Sequence, residues 1–173
     1  MKPLFLVIAA LLATTPAWAT VVRPASLQEL AESSAVIVHA AVGEVNDRLA
    51  QGQGDAIRTK IVFEILEAIK GFKKSSGVLT LVLPGGRLGD NVLLIPGMPT
   101  FQPGQEVVLL LEATATGFTP AGLKQGVFYV DRRASPAVVR RDSEGMVFWG
   151  AKKPEGPARL DDLLAILRQE VQP

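Results

Sequence analysis

The chain has no cysteine and a single histidine, His39, and these two shortages remove most common catalytic and metal-binding chemistries. Without cysteine there is no disulfide framework, no Cys/His zinc site and no thiol nucleophile. A Ser-His-Asp triad would have to use His39, which sits mid-strand in an apolar run with no nucleophile elbow beside it. His39 therefore reads as a structural or surface residue. Aromatic residues make up only 6% of the chain, too few for a surface that stacks nucleic-acid bases. No P-loop occurs, and Gly52-Gln53-Gly54 neither follows a strand nor opens a helix, so it reads as a loop. No cofactor is expected.

A long apolar run is lacking as well. The longest, residues 4–12, is too short for the roughly 20 residues that cross a bilayer. With Met1-Lys2 before it and Ala17-Trp18-Ala19 after it, this run has the parts of an export signal. Cleavage before Thr20 is expected, leaving residues 20–173 as one exported domain, periplasmic or extracellular, with no membrane span. Loss of residues 1–19 removes Lys2 and leaves 154 residues with 17 basic against 17 acidic side chains. A net charge of zero provides no broad field for nucleic acid or an anionic membrane. A chain of that size buries a sufficient core without disulfides.

What is present is strand signal. Residues 78–83 and 107–111 are apolar runs bounded by turn residues and read as buried strands. Pro84-Gly85-Gly86 ends the first and Pro103-Gly104 leads into the second, and the segment between is long for a compact domain. Ser26-Leu27-Gln28-Glu29 is a capping box, predicting a short helix that buries Leu27, Leu30 and Ala31. Residues 35–45 read as a strand bent at Gly43, and residues 46–55 as an exposed, mobile loop. From Arg58 to Leu66 the pattern alternates, with Thr59, Ile61, Phe63 and Ile65 on one face. Residues 73–77 are a polar turn. Residues 117–120 and 127–131 are further strands, and 138–140 with 146–149 are hairpin-like. After a linker at residues 154–157, Leu160, Leu163, Leu164 and Leu167 fall at helical spacing, predicting an amphipathic helix over about residues 158–171. Short strands with helices only near the ends indicate an all-β barrel or sandwich.

Three motifs make the barrel more specific: Ala35-Val36-Ile37-Val38-His39-Ala40-Ala41-Val42, Ile69-Lys70-Gly71, and Gly104-Gln105-Glu106-Val107-Val108-Leu109-Leu110-Leu111. Together with the Leu83-Pro84-Gly85-Gly86 turn, they resemble a group of bacterial secreted TIMP-like/netrin-like proteins over residues 35–126. The resemblance implies a mainly β, OB-like antiparallel barrel with a short N-terminal and a C-terminal amphipathic helix. Animal members inhibit metalloproteases through an N-terminal cysteine. In this chain the amine and carbonyl of a mature Thr20 would take that role.

Other residues offer little chemistry. Asp161-Asp162 suits a helix N-terminus, Asp90-Asn91 lacks regular cation-ligand spacing, and Lys73-Lys74, Arg132-Arg133 and Lys152-Lys153 read as solvated turns. The leading expectation is a non-enzymatic binding module whose partner is another extracytoplasmic protein. Its candidate contacts are Arg87, Leu88, Met98 and Phe101 in the central segment, with Thr20. The second reading is an inhibitor or accessory protein of a secreted metalloprotease, and the third an enzyme of unknown type.

Overall fold

The computed structural model describes residues 19–51, 56–73, 77–150 and 156–171. The expected leader up to Trp18, the Gly52-Gln53-Gly54 loop, the middle of the 73–77 turn, and Lys152-Lys153 with the start of the 154–157 linker lie outside them. Among the described residues the chain is mainly β with two helices. In order these are β1 (Thr20–Val22), α1 (Leu27–Ser33), β2 (Val36–Gln51), β3 (Ala56–Lys70), β4 (Val78–Pro84), β5 (Gly86–Leu88), β6 (Asn91–Leu93), β7 (Glu106–Thr114), β8 (Gly117–Pro120), β9 (Val127–Asp131), β10 (Val138–Arg140), β11 (Met146–Phe148) and α2 (Leu160–Val171).

An antiparallel sheet in the order β10-β9-β7-β2-β3-β4 organises the molecule. β7 uses one edge for β2 and divides the other between β9 and β8. Across the sheet β8 approaches β4 with Cα atoms within 8 Å, and no hydrogen-bond ladder joins them among the described residues.

The two faces of the sheet hold two cores. Val38, Ala40, Phe63, Leu81, Leu109 and Leu111 pack on the inner face. Ile37, Val108, Leu110 and Phe128 pack on the outer face, beneath Leu30 and Ala31 of α1 and Leu160, Leu163 and Leu167 of α2. β7 is covered on both sides, so residues 107–111 form an unbroken apolar run in which every side chain is buried. β4 is an edge strand and corrects the expectation of a fully buried one. Only Leu79, Leu81 and Leu83 are buried, while Val78 and Val82 face outward.

The helices form where their sequences predict, but Leu27, expected to be buried, is only half-buried at the edge of the outer core, and α1 buries Leu30 and Ala31. Ser26 Oγ accepts from the Glu29 amide and the Glu29 carboxylate accepts from the Ser26 amide, closing the capping box. In α2 the four leucines are buried, and Asp161 and Asp162 occupy the first turn, where the helix dipole favours acids. The Ile69-Lys70-Gly71 motif joins sheet to helix. Lys70 Nζ donates to the Ala31 carbonyl at 2.8 Å and the Glu32 carbonyl at 3.3 Å. It thereby supplies the cation that the last turn of α1 lacks.

Two other expectations need correction. Residues 46–51 are strand rather than loop, because the β2–β3 ladder continues through Asn46↔Lys60 to Gln51↔Ala56. Gly43 does sit at a register irregularity, between Val42 and Glu44. β10 and β11 do not pair as a hairpin. β10 adds to β9, whereas β11 runs parallel to β1, with Thr20 opposite Met146 and Val22 opposite Phe148. The chain between them turns toward Lys124, whose Nζ lies 2.5 Å from Asp142 Oδ2, while Asp142 Oδ1 accepts from the Glu144 amide.

Candidate functional site: a groove beneath the β4–β7 connection

The long connection from β4 to β7 is tied down along its length. The Gly85 amide donates to the Ile57 carbonyl and Thr59 Oγ1 to the Gly85 carbonyl, which fixes its start. The hairpin β5–β6 follows, with Arg87 opposite Val92. Thr20 Oγ1 donates to the Pro96 carbonyl at 2.8 Å and the Lys124 amide to the Gly97 carbonyl at 3.1 Å. Tyr129 Oη donates to the Thr100 carbonyl at 2.9 Å, and burial pushes this phenol well above its ordinary pKa. The Gly104 amide donates to Val42 and returns the chain to the sheet.

Between this connection and the sheet lies a half-open groove of about 880 Å³. Its floor is Ile61, Leu83 and Phe101, and its wall Val92, Leu93 and Leu94. Leu94 is 79% exposed, and Val92 and Leu93 are exposed to a smaller degree, at 49% and 38%. Lys124 is buried beside the groove, held by Asp142 and by the Glu144 carbonyl at 3.0 Å.

The structure brings three of the sequence-predicted contacts to this groove. Arg87 is exposed at the rim, Met98 is half-buried, and Phe101 is 7% exposed. Phe101 is thus a core residue that floors the groove, packed edge-on against Phe63 with ring centroids 5.1 Å apart. Leu88 is half-buried in β5 and does not line the groove. Thr20 lies in β1, where its amide donates to the Gly145 carbonyl at 2.9 Å. Sequence reasoning missed the exposed wall and the Lys124–Asp142 pair. The apolar run Val92-Leu93-Leu94-Ile95, flanked by Asp90-Asn91 and Pro96-Gly97, was a usable signal for the wall. Nothing in the pattern marks Lys124.

His39 occupies a separate polar cluster on the outer face. Its Nε2 lies 2.6 Å from Glu106 Oε1, and Glu106 also receives Arg132 Nε at 2.9 Å and Nη2 at 2.6 Å. The Arg132 guanidinium, with His39 behind it, holds the Glu106 carboxyl below its ordinary value of 4.5. Because the folded state lowers this pKa, Glu106 contributes stability that is present above about pH 4.5 and lost as pH falls through the depressed value. Arg132→Gln is expected to flatten the acid limb of stability measured by urea unfolding between pH 3 and 7. A limb as steep as the wild type's would show that the pair does not link folding to protons. Among the described residues no group of three or more His, Asp or Glu side chains is placed to hold a metal ion. No described helix is long and apolar enough to cross a membrane.

Comparison with known proteins finds no matching family model, no matching curated protein and no matching solved structure.

Proposed function

We propose that the protein is an exported, non-enzymatic interaction module that captures another extracytoplasmic protein in the groove beneath the β4–β7 connection. The observation that carries this reading is the exposed apolar wall of Val92, Leu93 and Leu94 beside a groove already floored by Phe101. Contiguous apolar surface of this kind, rimmed by polar residues, marks contact sites. Arg87 at the rim adds one of the side-chain types enriched among interface anchors. The approach of β8 to β4 and the helices on one face support the finer assignment to an OB-type, TIMP-like/netrin-like barrel. The metalloprotease-inhibitor reading stands second. It requires Thr20 to present its amine, and that nitrogen is committed to the Gly145 carbonyl within β1.

The test is capture of partners from the extracytoplasmic fraction by immobilised protein, comparing variants that unfold at the wild-type temperature. Leu94→Asp and Arg87→Ala are expected to weaken capture of the same partner by about tenfold or more, as for interface anchors. His39→Gln should leave it unchanged. Loss with His39→Gln alone would move the site to the Glu106 cluster and sink the groove reading.

A further inference from the structure

Arg141 follows β10 and differs from the other arginines of its surroundings. Arg132 is paired with Glu106, Arg133 and Arg140 with Asp131, and Arg168 with Glu67. The Arg141 guanidinium instead lies over the Phe128 ring, 4.5 Å from its centroid. Both terminal nitrogens, Nη1 and Nη2, are buried and have no hydrogen-bond partner among the described residues. Buried polar groups are almost always paired, and a buried cation is costly to leave unpaired. Stacking on an aromatic face offsets part of that cost but satisfies no N–H. Burial pushes the group down to about 10, so it stays charged at neutral pH.

The guanidinium lines a cavity of about 280 Å³, separate from the groove's apolar wall and bounded by Val139, Met146, Phe148 and Pro157. The polar neighbours that could neutralise it are committed elsewhere. Gln125 donates to the Arg23 and Gly122 carbonyls and accepts from the Ala25 amide. Asp142 holds Lys124 and the Glu144 amide. The cavity therefore sets the unpaired Arg141 fork beside the apolar Val139, Met146 and Phe148, with Gln125, Asp142 and Ser143 also in the lining.

We propose that this cavity binds a small organic carboxylate, its two oxygens on Nη1 and Nη2 of Arg141 and its apolar part against Val139, Met146 and Phe148. The planar guanidinium offers parallel N–H groups that match a carboxylate, and a compact tail fits the remaining space. An apolar cavity of roughly 150 Å³ already accommodates benzene, so this one takes a benzoate-sized molecule. The cavity shares only Asp142 with the lining of the groove.

The test is calorimetric titration of the purified protein with benzoate and hexanoate, with benzamide as the neutral isostere and inorganic phosphate as the competing anion. The carboxylates are expected to bind with dissociation constants of about 10 µM to 1 mM, and benzamide and phosphate at least about tenfold more weakly. Arg141→Lys should weaken benzoate about tenfold and Arg141→Gln should abolish binding. Ala158→Phe, which adds bulk to the cavity's lining and leaves Arg141 in the chain, should also weaken binding at least about tenfold and keeps the test valid if the Arg141 variants fail to fold. Benzoate should shift the Arg141 side-chain N–H resonances. Absence of carboxylate binding at 10 mM, a preference for phosphate or benzamide, or benzoate affinity unchanged in Ala158→Phe would each overturn the proposal.

Discussion

Gly71→Ala is expected to destabilise the protein by about 2–5 kcal/mol, and clearly more than Gly77→Ala. Both glycines have left-handed backbone, with φ of +64° and +61°. An alanine pays about 1–2 kcal/mol for that conformation at either place. The surroundings then separate them. A Cβ on Gly71 would lie 1.9 Å from the Ala35 carbonyl oxygen, whereas one on Gly77 meets nothing within 4 Å. Relieving the clash at Gly71 requires the backbone to move, which adds about 1–3 kcal/mol. The chain there cannot shift freely, because the preceding Lys70 is fastened to the carbonyl end of α1. Urea unfolding of the two variants, at an unchanged m-value, makes the comparison. Equal losses would mean that β3 does not pass so closely beneath the start of β2. The short Lys-Gly motif thus has a packing explanation in this chain, independent of any partner.

The parts of the fold that the sequence made legible are those where one element decides its own pattern. The β3 alternation ending in Ile61 and Phe63, the capping box at Ser26 and the leucine spacing of α2 are local codes, and each of those residues lies where its code places it. What was not legible depends on partners distant in the chain. β4 and β7 have similar apolar runs, yet β7 lies between strands and helices while β4 is an edge. The ladder at residues 46–51 persists through a polar, turn-rich sequence because β3 continues opposite it. β11 finds β1 across more than a hundred residues, which no short-range pattern can announce. The candidate site divides in the same way. Arg87, Met98 and Phe101 were visible from the unusual length of their connection. Lys124, Asp142 and Arg141 acquire their roles only from burial and neighbours, since each looks in sequence like an ordinary surface charge.

Phe63→Ala is expected to cost about 3–5 kcal/mol, the range for removing a fully buried aromatic ring. Phe63 is 0% exposed, paired on β3 between Val42 of β2 and Leu79 of β4, and its ring meets Phe101 edge-on at 5.1 Å. For a chain of this size the melting temperature should fall by about 2–4 °C for each kcal/mol lost. A double-mutant cycle with Phe101→Leu should return a coupling of about 0.5–1.5 kcal/mol, the usual worth of an aromatic pair beyond its buried area. Phe101 also packs on Tyr129 at 6.2 Å, so it holds the β4–β7 connection to the far side of the sheet. The two residues consequently link stability to the groove: Phe63 keeps Phe101 in place, and Phe101 forms the floor against which Leu94 and Arg87 present their side chains. Phe63→Leu, which keeps the core filled but gives up the ring contact, should lose only about 1 kcal/mol yet weaken partner capture. A Phe63→Ala loss under 1 kcal/mol would show that β3 turns its other face to the core. Unchanged capture by a folded Phe63→Leu variant would separate the groove floor from recognition and leave the exposed wall to act alone.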